Sequence, residues 1–548
     1  MDQLKPSPAN SSPLTPLGFL DRAATVYGDS TSVVYNATSY TWTQTHRRCL
    51  QLASSLVSLG IRPGHVVSVL APNVPAVYEL HFAVPMSGAV LHTINTHLDA
   101  HTVSVLLRHS ESKLIFVDIL SYPVLQDAMK DTTVDPPIVV LITDVYVDAP
   151  SPAVDHTYER LVEMGNHDFK WVRPKSEWDP IVLNYTSGTT SAPKGVVHCH
   201  RGLFIVCTVV LMEWSVPKQP VYLWTLPMFH GNGWSFTWGM AAVGGTNICI
   251  RKVDVAVIYR SIRTHRVTHM CCAPVVLNML ANAPSDRFQP LTHSVHVLTG
   301  GSAPPAPVLE RVETMGFIVT HAYGLTETGG TVVLCAWKRE WDGLPLSERA
   351  KLKARQGVRT VSMEDVDVVD PGSGRSVKRN GSTLGEIALR GGCLMLGYLK
   401  DPVSTSECMG RHGWFYTGDV GVMHPDGYLE IKDRSKDVIN SGGEKVSCVE
   451  VESVLYSNPL VYEAAVVARP DGFWGETPCA FVSLKAGSGR VTEKEIIEYC
   501  RERMPRYMVP KYVVFKDELP KTSTGKIKKF VLRDMAKSFS ALKKVDCS

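Results

Sequence analysis

Residues 185–196 read Tyr-Thr-Ser-Gly-Thr-Thr-Ser-Ala-Pro-Lys-Gly-Val, a run of hydroxyls and glycines closed by a lysine. Thr186, Ser187, Gly188, Thr189 and Thr190 form an unbroken set of hydroxyl or glycine positions, groups that can hydrogen-bond a polyphosphate in a narrow space. A Walker loop needs Gly-x-x-x-x-Gly-Lys-Ser/Thr opening a helix. Here Pro193 has no amide hydrogen and disfavours helix at Ala192, while Gly195 stands where the serine or threonine belongs. The stretch is therefore not a Walker loop. It predicts a sharp exit from a strand with Lys194 on a mobile tip, able to grip pyrophosphate and release it. Taken alone, it also fits a solvent loop of small residues.

With its neighbours, the stretch resembles the phosphate-binding signature of the adenylate-forming superfamily: acyl-CoA synthetases, luciferases and peptide-synthetase adenylation domains. Ser191 replaces the family's usual glycine. Other motifs follow in the family's order and cover nearly the whole chain. LPMFHGNGW (226–234) resembles the acyl-pocket segment, which implies His230 beside the substrate carboxylate; a buried, merely hydrogen-bonded histidine is the alternative. TGGSAPP (299–305) and HAYGLTET (321–328) are similar to the nucleotide-binding strand ends. The resemblance implies Gly301, Ser302, Ala303, His321, Ala322, Tyr323 and Gly324 around the nucleotide, with Tyr323 stacked on adenine. It also puts Thr326 on the α-phosphate and Glu327 on magnesium, a cation that requires hard oxygen ligands.

WFYTGDV (414–420) supplies Asp419, implied to accept both ribose hydroxyls, although an aspartate after Thr-Gly could equally serve a turn. IKDRSKDVINSGGEKVS (431–447) resembles the family's hinge: Arg434 for the ribose, Lys436 at the pivot, and Ser441, Gly442 and Gly443 along the thiol's tunnel. LPKTSTGKIKK (519–529) resembles the C-terminal lysine loop, with Lys526 between Gly525 and Ile527. By itself Lys526 would be one of many surface lysines.

The resemblance implies an ATP-dependent carboxylate–CoA ligase using ATP, Mg2+ and coenzyme A. A carboxylate resists nucleophiles because its carbon is electron-rich and its leaving group would be oxide. Attack on the ATP α-phosphate gives an acyl-AMP with a good leaving group, and a thiol then displaces AMP. An anion attacking a tetra-anion needs charge compensation, assigned to magnesium on Glu327 with Lys194 and Lys526. His230 and Thr326 complete the implied catalytic set. Rotation about Lys436 would withdraw Lys526 and admit the thiol past Gly442–Gly443, so one site runs two half-reactions.

Residues 68–99, Asn232 and Trp234 after His230, and MPRYMVPKYVVF (504–515) resemble plant acyl-activating enzymes. The implied acyl pocket is His230, Trp234, Phe236, Gly301, Gly329, Gly330 and Thr331. Aromatics near His230 would shorten it, and Gly329-Gly330 would leave a flat slot. That favours a small aromatic acid of benzoate or cinnamate type, with a short- or medium-chain or branched fatty acid as the alternative. A luciferase-like or carrier-loading adenylating enzyme, or a non-catalytic nucleotide-binding protein, are readings from other classes.

The elements that must carry these residues alternate between helix and strand. Thr41-x-x-Gln44 predicts a capping box, Leu52, Leu56 and Leu59 an apolar face, and Gly60 a stop. Apolar runs at 66–71, 113–118, 137–142, 180–185, 295–300 and 317–323 predict buried strands of a parallel sheet covered on both faces. Residues 358–432 change to short strands and glycine turns, with a hairpin signal at Pro425-Asp426-Gly427. Beyond it, Ser447-x-x-Glu450 and Thr492-x-x-Glu495 open two helices beside strands EAAVVAR and CAFVSLK. The expected fold is α/β. A large N-terminal domain (1–432) of α/β subdomains includes a β-barrel-like subdomain at about 358–432; a hinge at 433–437 precedes a mobile α+β domain (438–548).

The chain has 548 residues, too many for one ordinary core, and a net charge of +3, which implies no general nucleic-acid surface. Small-molecule partners are expected, with no membrane span and no obligatory protein partner. Residues 219–250 carry no Asp, Glu, Lys or Arg, but prolines, glycines, asparagines and a histidine break them, predicting two buried strands joined by a loop. The 13 scattered cysteines suit a reducing compartment. With no apolar leader and no SKL-type ending, cytosol is the expected location. His198 and His200 lack partners at zinc-like spacing, and Cys271-Cys272 reads as core.

Overall fold

In the computed structural model, residues 5–130, 136–150, 152–186, 193–283, 290–409, 412–522 and 525–545 are described. Two large sheets carry most of the chain. The first has nine strands, whose inner six run parallel in the order Phe317–Tyr323, Val295–Thr299, His269–Cys272, Val221–Trp224, Thr246–Cys249 and Thr31–Tyr35. The second has eight, with Pro180–Thr186, Val90–Thr93, Val66–Leu70, Leu114–Asp118 and Ile138–Ile142 parallel. Their continuous apolar runs are buried on both faces, as parallel strands under crossover helices must be. All six expected strands form.

Antiparallel edges depart from the expected pattern at a useful place. Strand Lys194–Cys199 folds back on Pro180–Thr186, with Thr186 opposite Lys194, and Gly397–Tyr398 pairs with its outer edge. The expected tip under Lys194 is thus the first residue of a paired strand, its backbone fixed by the ladder. The expected loop in 219–250 instead contains a helix, Phe236–Val243, because a parallel connection requires a crossover.

Local signals account for the helix ends. Thr41 and Gln44 cap Trp42–Ser58 reciprocally, and Gly60 takes φ +86° after it. Thr492 and Glu495 do the same for Glu493–Arg501, while the Ser447 hydroxyl accepts the Glu450 amide at 3.3 Å. The expected barrel-like segment is a four-stranded antiparallel sheet of Met363–Val369, Gly385–Gly391, Phe415–Met423 and Leu429–Arg434. A five-stranded sheet from Ile439–Ser441 to Tyr512–Phe515, with its own buried core, completes the small α+β unit. Among the described residues no helix is long and apolar enough to cross a membrane.

Candidate active site

The C-terminal end of the first sheet supplies the aromatic wall. Strand Phe317–Tyr323 ends on Tyr323, whose phenol donates to Oδ2 of Asp419 at 2.7 Å. Asp419 lies opposite Arg434 in an antiparallel ladder, with Nε of Arg434 3.3 Å from Oδ1. Burial, then the Asp419 charge, push the Tyr323 phenol well up, so it remains a donor. A carboxylate has about four lone-pair sites, so Asp419 keeps acceptor capacity beyond these contacts. His321 behaves differently. Its Nδ1 donates to the carbonyls of Ala354 and Arg355 at 3.0 and 3.1 Å, and this buried imidazole serves the fold.

Lys526 comes from the small unit yet lies among residues of the large one. A β-carbon built on Gly301 would sit 3.1 Å from its Cε and 3.7 Å from its Nζ, and Gly301 itself has φ +87°. Burial and the neighbouring Arg434 charge pull Lys526 down to about 8, opposed by Asp419 and Glu327. Burial and then the Lys526 charge push His230 down to about 3, so its imidazole is neutral. The small unit is held there by Asn278 of helix Pro274–Ala281, which donates to the Tyr462 carbonyl at 2.9 Å, and by close packing of Gly525 on Val275.

Glu327 sits in a tight turn, Thr326–Thr328, tied down on several sides. His198 Nε2 donates to the Thr326 carbonyl at 2.6 Å, Met395 N to the Glu327 carbonyl at 2.8 Å, and Ser235 Oγ to the Gly329 carbonyl at 2.7 Å. Tyr398 donates its phenol to Glu327 Oε1 at 2.9 Å, and the Lys194 ammonium lies 4.8 Å from the centre of the same ring. Tyr398 escapes a sequence reading because nothing in GYLK marks it; its place follows from the edge pairing of Gly397–Tyr398. One fixed carboxylate beside a lysine is a donor set that fits a hard cation sharing its other ligands with a polyphosphate. Among the described residues no group of three or more His, Cys, Asp or Glu is placed to hold a metal. His198 and His200 hold Thr326 and Thr15 instead.

After His230 the chain runs through consecutive left-handed residues: Gly231, Asn232, Gly233, Trp234 and Ser235, with φ of +46°, +41°, +57°, +51° and +69°. Each non-glycine member costs roughly 1–2 kcal/mol. Gly233 is required, since a β-carbon there would meet the Trp224 ring at 2.6 Å. The turn lays Trp234 along Gly300 and Gly301, with ring atoms 3.4 and 4.0 Å from their built β-carbons. Gly330 backs on Val206 and the Trp234 carbonyl, while Thr331 is buried. Phe236 goes to an aromatic core cluster, stacked 5.3 Å from Tyr222 and edge-on to Trp214.

Ser441, Gly442, Gly443 and Lys436 stand apart from this cluster. Ser441 is buried and Gly442–Gly443 form an exposed hairpin turn, with the Trp474 ring against Gly442. Lys436 is exposed between strands Leu429–Arg434 and Ile439–Ser441, beside an Asp437–Arg533 ion pair. Gly301 and Ser302 are exposed, and Ala303 is half-buried. Ala322 is buried, and Gly324 is pressed against the Gly330 carbonyl. Ser187, Gly188, Thr189 and Thr190 lie outside the described residues; Thr186 and Lys194 flank them.

Residues 20–399 match the model of the AMP-binding enzyme family, and 450–526 that of the AMP-binding enzyme C-terminal domain. The chain is 66% identical to a 2-methylpropanoate–CoA ligase of Humulus lupulus, over 99% of this chain and 98% of that one. It is 65% identical to a protein of Arabidopsis thaliana named probable acyl-activating enzyme 5, peroxisomal, over 98% of each. Among solved structures it superposes on an anthranilate CoA ligase in complex with anthranoyl-AMP, with TM-score 0.86 and 23% identity, covering 97% of this chain and 99% of that one. A Mycobacterium tuberculosis fatty acyl CoA synthetase gives TM-score 0.69 at 30% identity, covering 95% and 98%.

Proposed function

This chain belongs to the AMP-binding, adenylate-forming enzymes and is an AMP-forming acyl-CoA ligase, and from that premise we propose how its residues divide the reaction. The observation that carries the proposal is Lys526 of the small unit lodged against Gly301 of the large one. In the first half-reaction the acid's carboxylate oxygen bonds to the α-phosphorus of ATP and the bond to the bridging oxygen breaks, releasing pyrophosphate. Lys526 and Lys194 offset the charge that develops, and neutral His230 orients the carboxylate without competing for its charge. Tyr323, held by Asp419, flanks the adenine; Asp419 and Arg434 take the ribose. Thr326 faces the α-phosphate and, with Thr186, Ser187, Gly188, Thr189 and Thr190, surrounds the phosphates. Glu327 would hold Mg2+, which supplies charge neutralisation on the phosphates when bound.

In the second half-reaction the thiol of coenzyme A attacks the acyl carbon, the C–S bond forms and AMP departs. We place the domain boundary at 433–437, with 1–432 and 438–548 as the moving bodies and Lys436 as pivot. Rotation would withdraw Lys526 and bring Gly442–Gly443 to the pantetheine arm.

For the acid we favour a short branched aliphatic one, on the strength of the 2-methylpropanoate–CoA ligase relative. A small aromatic acid is the second reading, favoured by the Trp234 ring lying close along Gly300–Gly301. Pyrophosphate release across 2-methylpropanoate, longer acids, benzoate and cinnamate, with and without coenzyme A and with products weighed, tests both. Turnover highest with 2-methylpropanoate supports the first reading, and turnover highest with benzoate or cinnamate the second; no thioester from any acid contradicts ligase function. Cytosol remains our expected compartment, against a relative named peroxisomal. Imaging fusions at either terminus decides it.

A further inference from the structure

Beneath the left-handed turn lies a polar cluster buried in an otherwise apolar core. Asn232, Asn184, Thr93 and His81 come from four different segments, and all four are buried. Asn184 donates its amide to Oδ1 of Asn232. Nδ2 of Asn232 faces His81 Nε2 at 3.3 Å and Thr93 Oγ1 at 3.4 Å, so both its hydrogens have acceptors. The His81 tautomer is set from behind: Nδ1 donates to the Val77 carbonyl at 2.7 Å, leaving the Nε2 lone pair for Asn232. Thr93 Oγ1 is 3.1 Å from Asn184 Oδ1 and 3.0 Å from the Phe229 carbonyl, the residue before His230. Thr237 Oγ1 donates to the Asn232 carbonyl at 3.0 Å.

A buried polar network in which each of these side chains has a partner disfavours other arrangements, because they would leave polar groups unpaired. Left-handed residues in series persist only where their surroundings over-determine them. Here the Asn232 amide supplies that constraint. One end of the turn is His230, and Trp234 within it presses on Gly300–Gly301. Asn184 lies two residues before Thr186, in the strand entering the phosphate loop.

We propose that Asn232 is a positioning residue that holds the 231–235 turn left-handed and, through Asn184, couples the acid site to the strand entering the phosphate loop. The affinities for acid and for ATP therefore depend on the same buried amide pair. The inference rests on the ligase reading above, and its test keeps the two separable.

Michaelis constants for acid and MgATP are measured by pyrophosphate release in wild type, Asn232→Gly, Asn232→Ala and Thr93→Val, with thermal melts of each. Glycine deletes the amide but tolerates a left-handed backbone, whereas alanine deletes the amide and disfavours that backbone as well. The acid KM should rise at least tenfold in Asn232→Ala and less in Asn232→Gly, and the ATP KM several-fold in both. A merely structural role would lower the melting point and active fraction and leave both constants within twofold of wild type; that result overturns the proposal. If the Asn232 variants do not fold, Thr93→Val, which removes the hydroxyl that accepts from Asn232 and donates towards Asn184 and Phe229 with little change of shape, must raise the acid KM several-fold, and an unchanged value overturns it. If wild type releases no pyrophosphate with any acid, the ligase reading fails. Calorimetric ATP affinity of Asn232→Gly then decides this proposal alone: a several-fold loss sustains it and no change overturns it.

Discussion

Tyr398 donates its phenol to Oε1 of Glu327 at 2.9 Å, joining an edge strand of one large sheet to the turn that follows the last parallel strand of the other. Hydrogen bonds to charged groups contribute about 1.5–3 kcal/mol. Tyr398→Phe should therefore lose roughly tenfold or more in kcat/KM for MgATP, while the acid KM stays within a few-fold. Titration of pyrophosphate release with magnesium checks this; an unchanged magnesium requirement contradicts the role given to Glu327.

Lys526 carries a pH signature. Its ammonium is the useful form, and its surroundings pull it from 10.5 to about 8. The kcat/KM for adenylation should fall as pH rises through about 8, and the bound polyphosphate should move the break upward in kcat. His230, pushed down to about 3, should add no limb between pH 5 and 8. The unfolded chain holds the Lys526 proton more tightly, so between about 8 and 10.5 folding stability gains with pH from this residue, and the cost is fully present below 8. Adenylation flat to pH 10 contradicts the assignment.

Gly301→Ala tests the packing. A methyl there meets Lys526 Cε at 3.1 Å, and φ of +87° strains any side chain. Pyrophosphate release should drop at least tenfold, and thioester formation from supplied acyl-AMP should drop much less, because the proposed rotation withdraws Lys526 in that step. Equal losses contradict it.

Helix caps and buried strands were legible because their signals are local: Thr41 with Gln44, or five apolar residues in a row. The convergence on Lys526 was legible only through family resemblance, since no periodicity relates residue 526 to 301. Contacts set by sheet edges stayed hidden. Pairing of Gly397–Tyr398 with Lys194–Cys199 brings Tyr398 to Glu327 and turns the expected Lys194 tip into a strand end. The bonds of His321 were hidden for a related reason: its imidazole is taken by two carbonyls from another segment, which no local signal at the strand end announces.

In the proposed cycle Lys526 acts in the first half-reaction and leaves the site for the second. Losing one preorganised donor costs about 2.7–4 kcal/mol, or 10²–10³ in rate. The decisive measurement compares Lys526→Ala with wild type in two assays, pyrophosphate release from ATP and acid, and thioester formation from supplied acyl-AMP and coenzyme A. Lys526→Ala should lose two to three orders of magnitude in the first and stay within a few-fold of wild type in the second. Equal loss in both contradicts it.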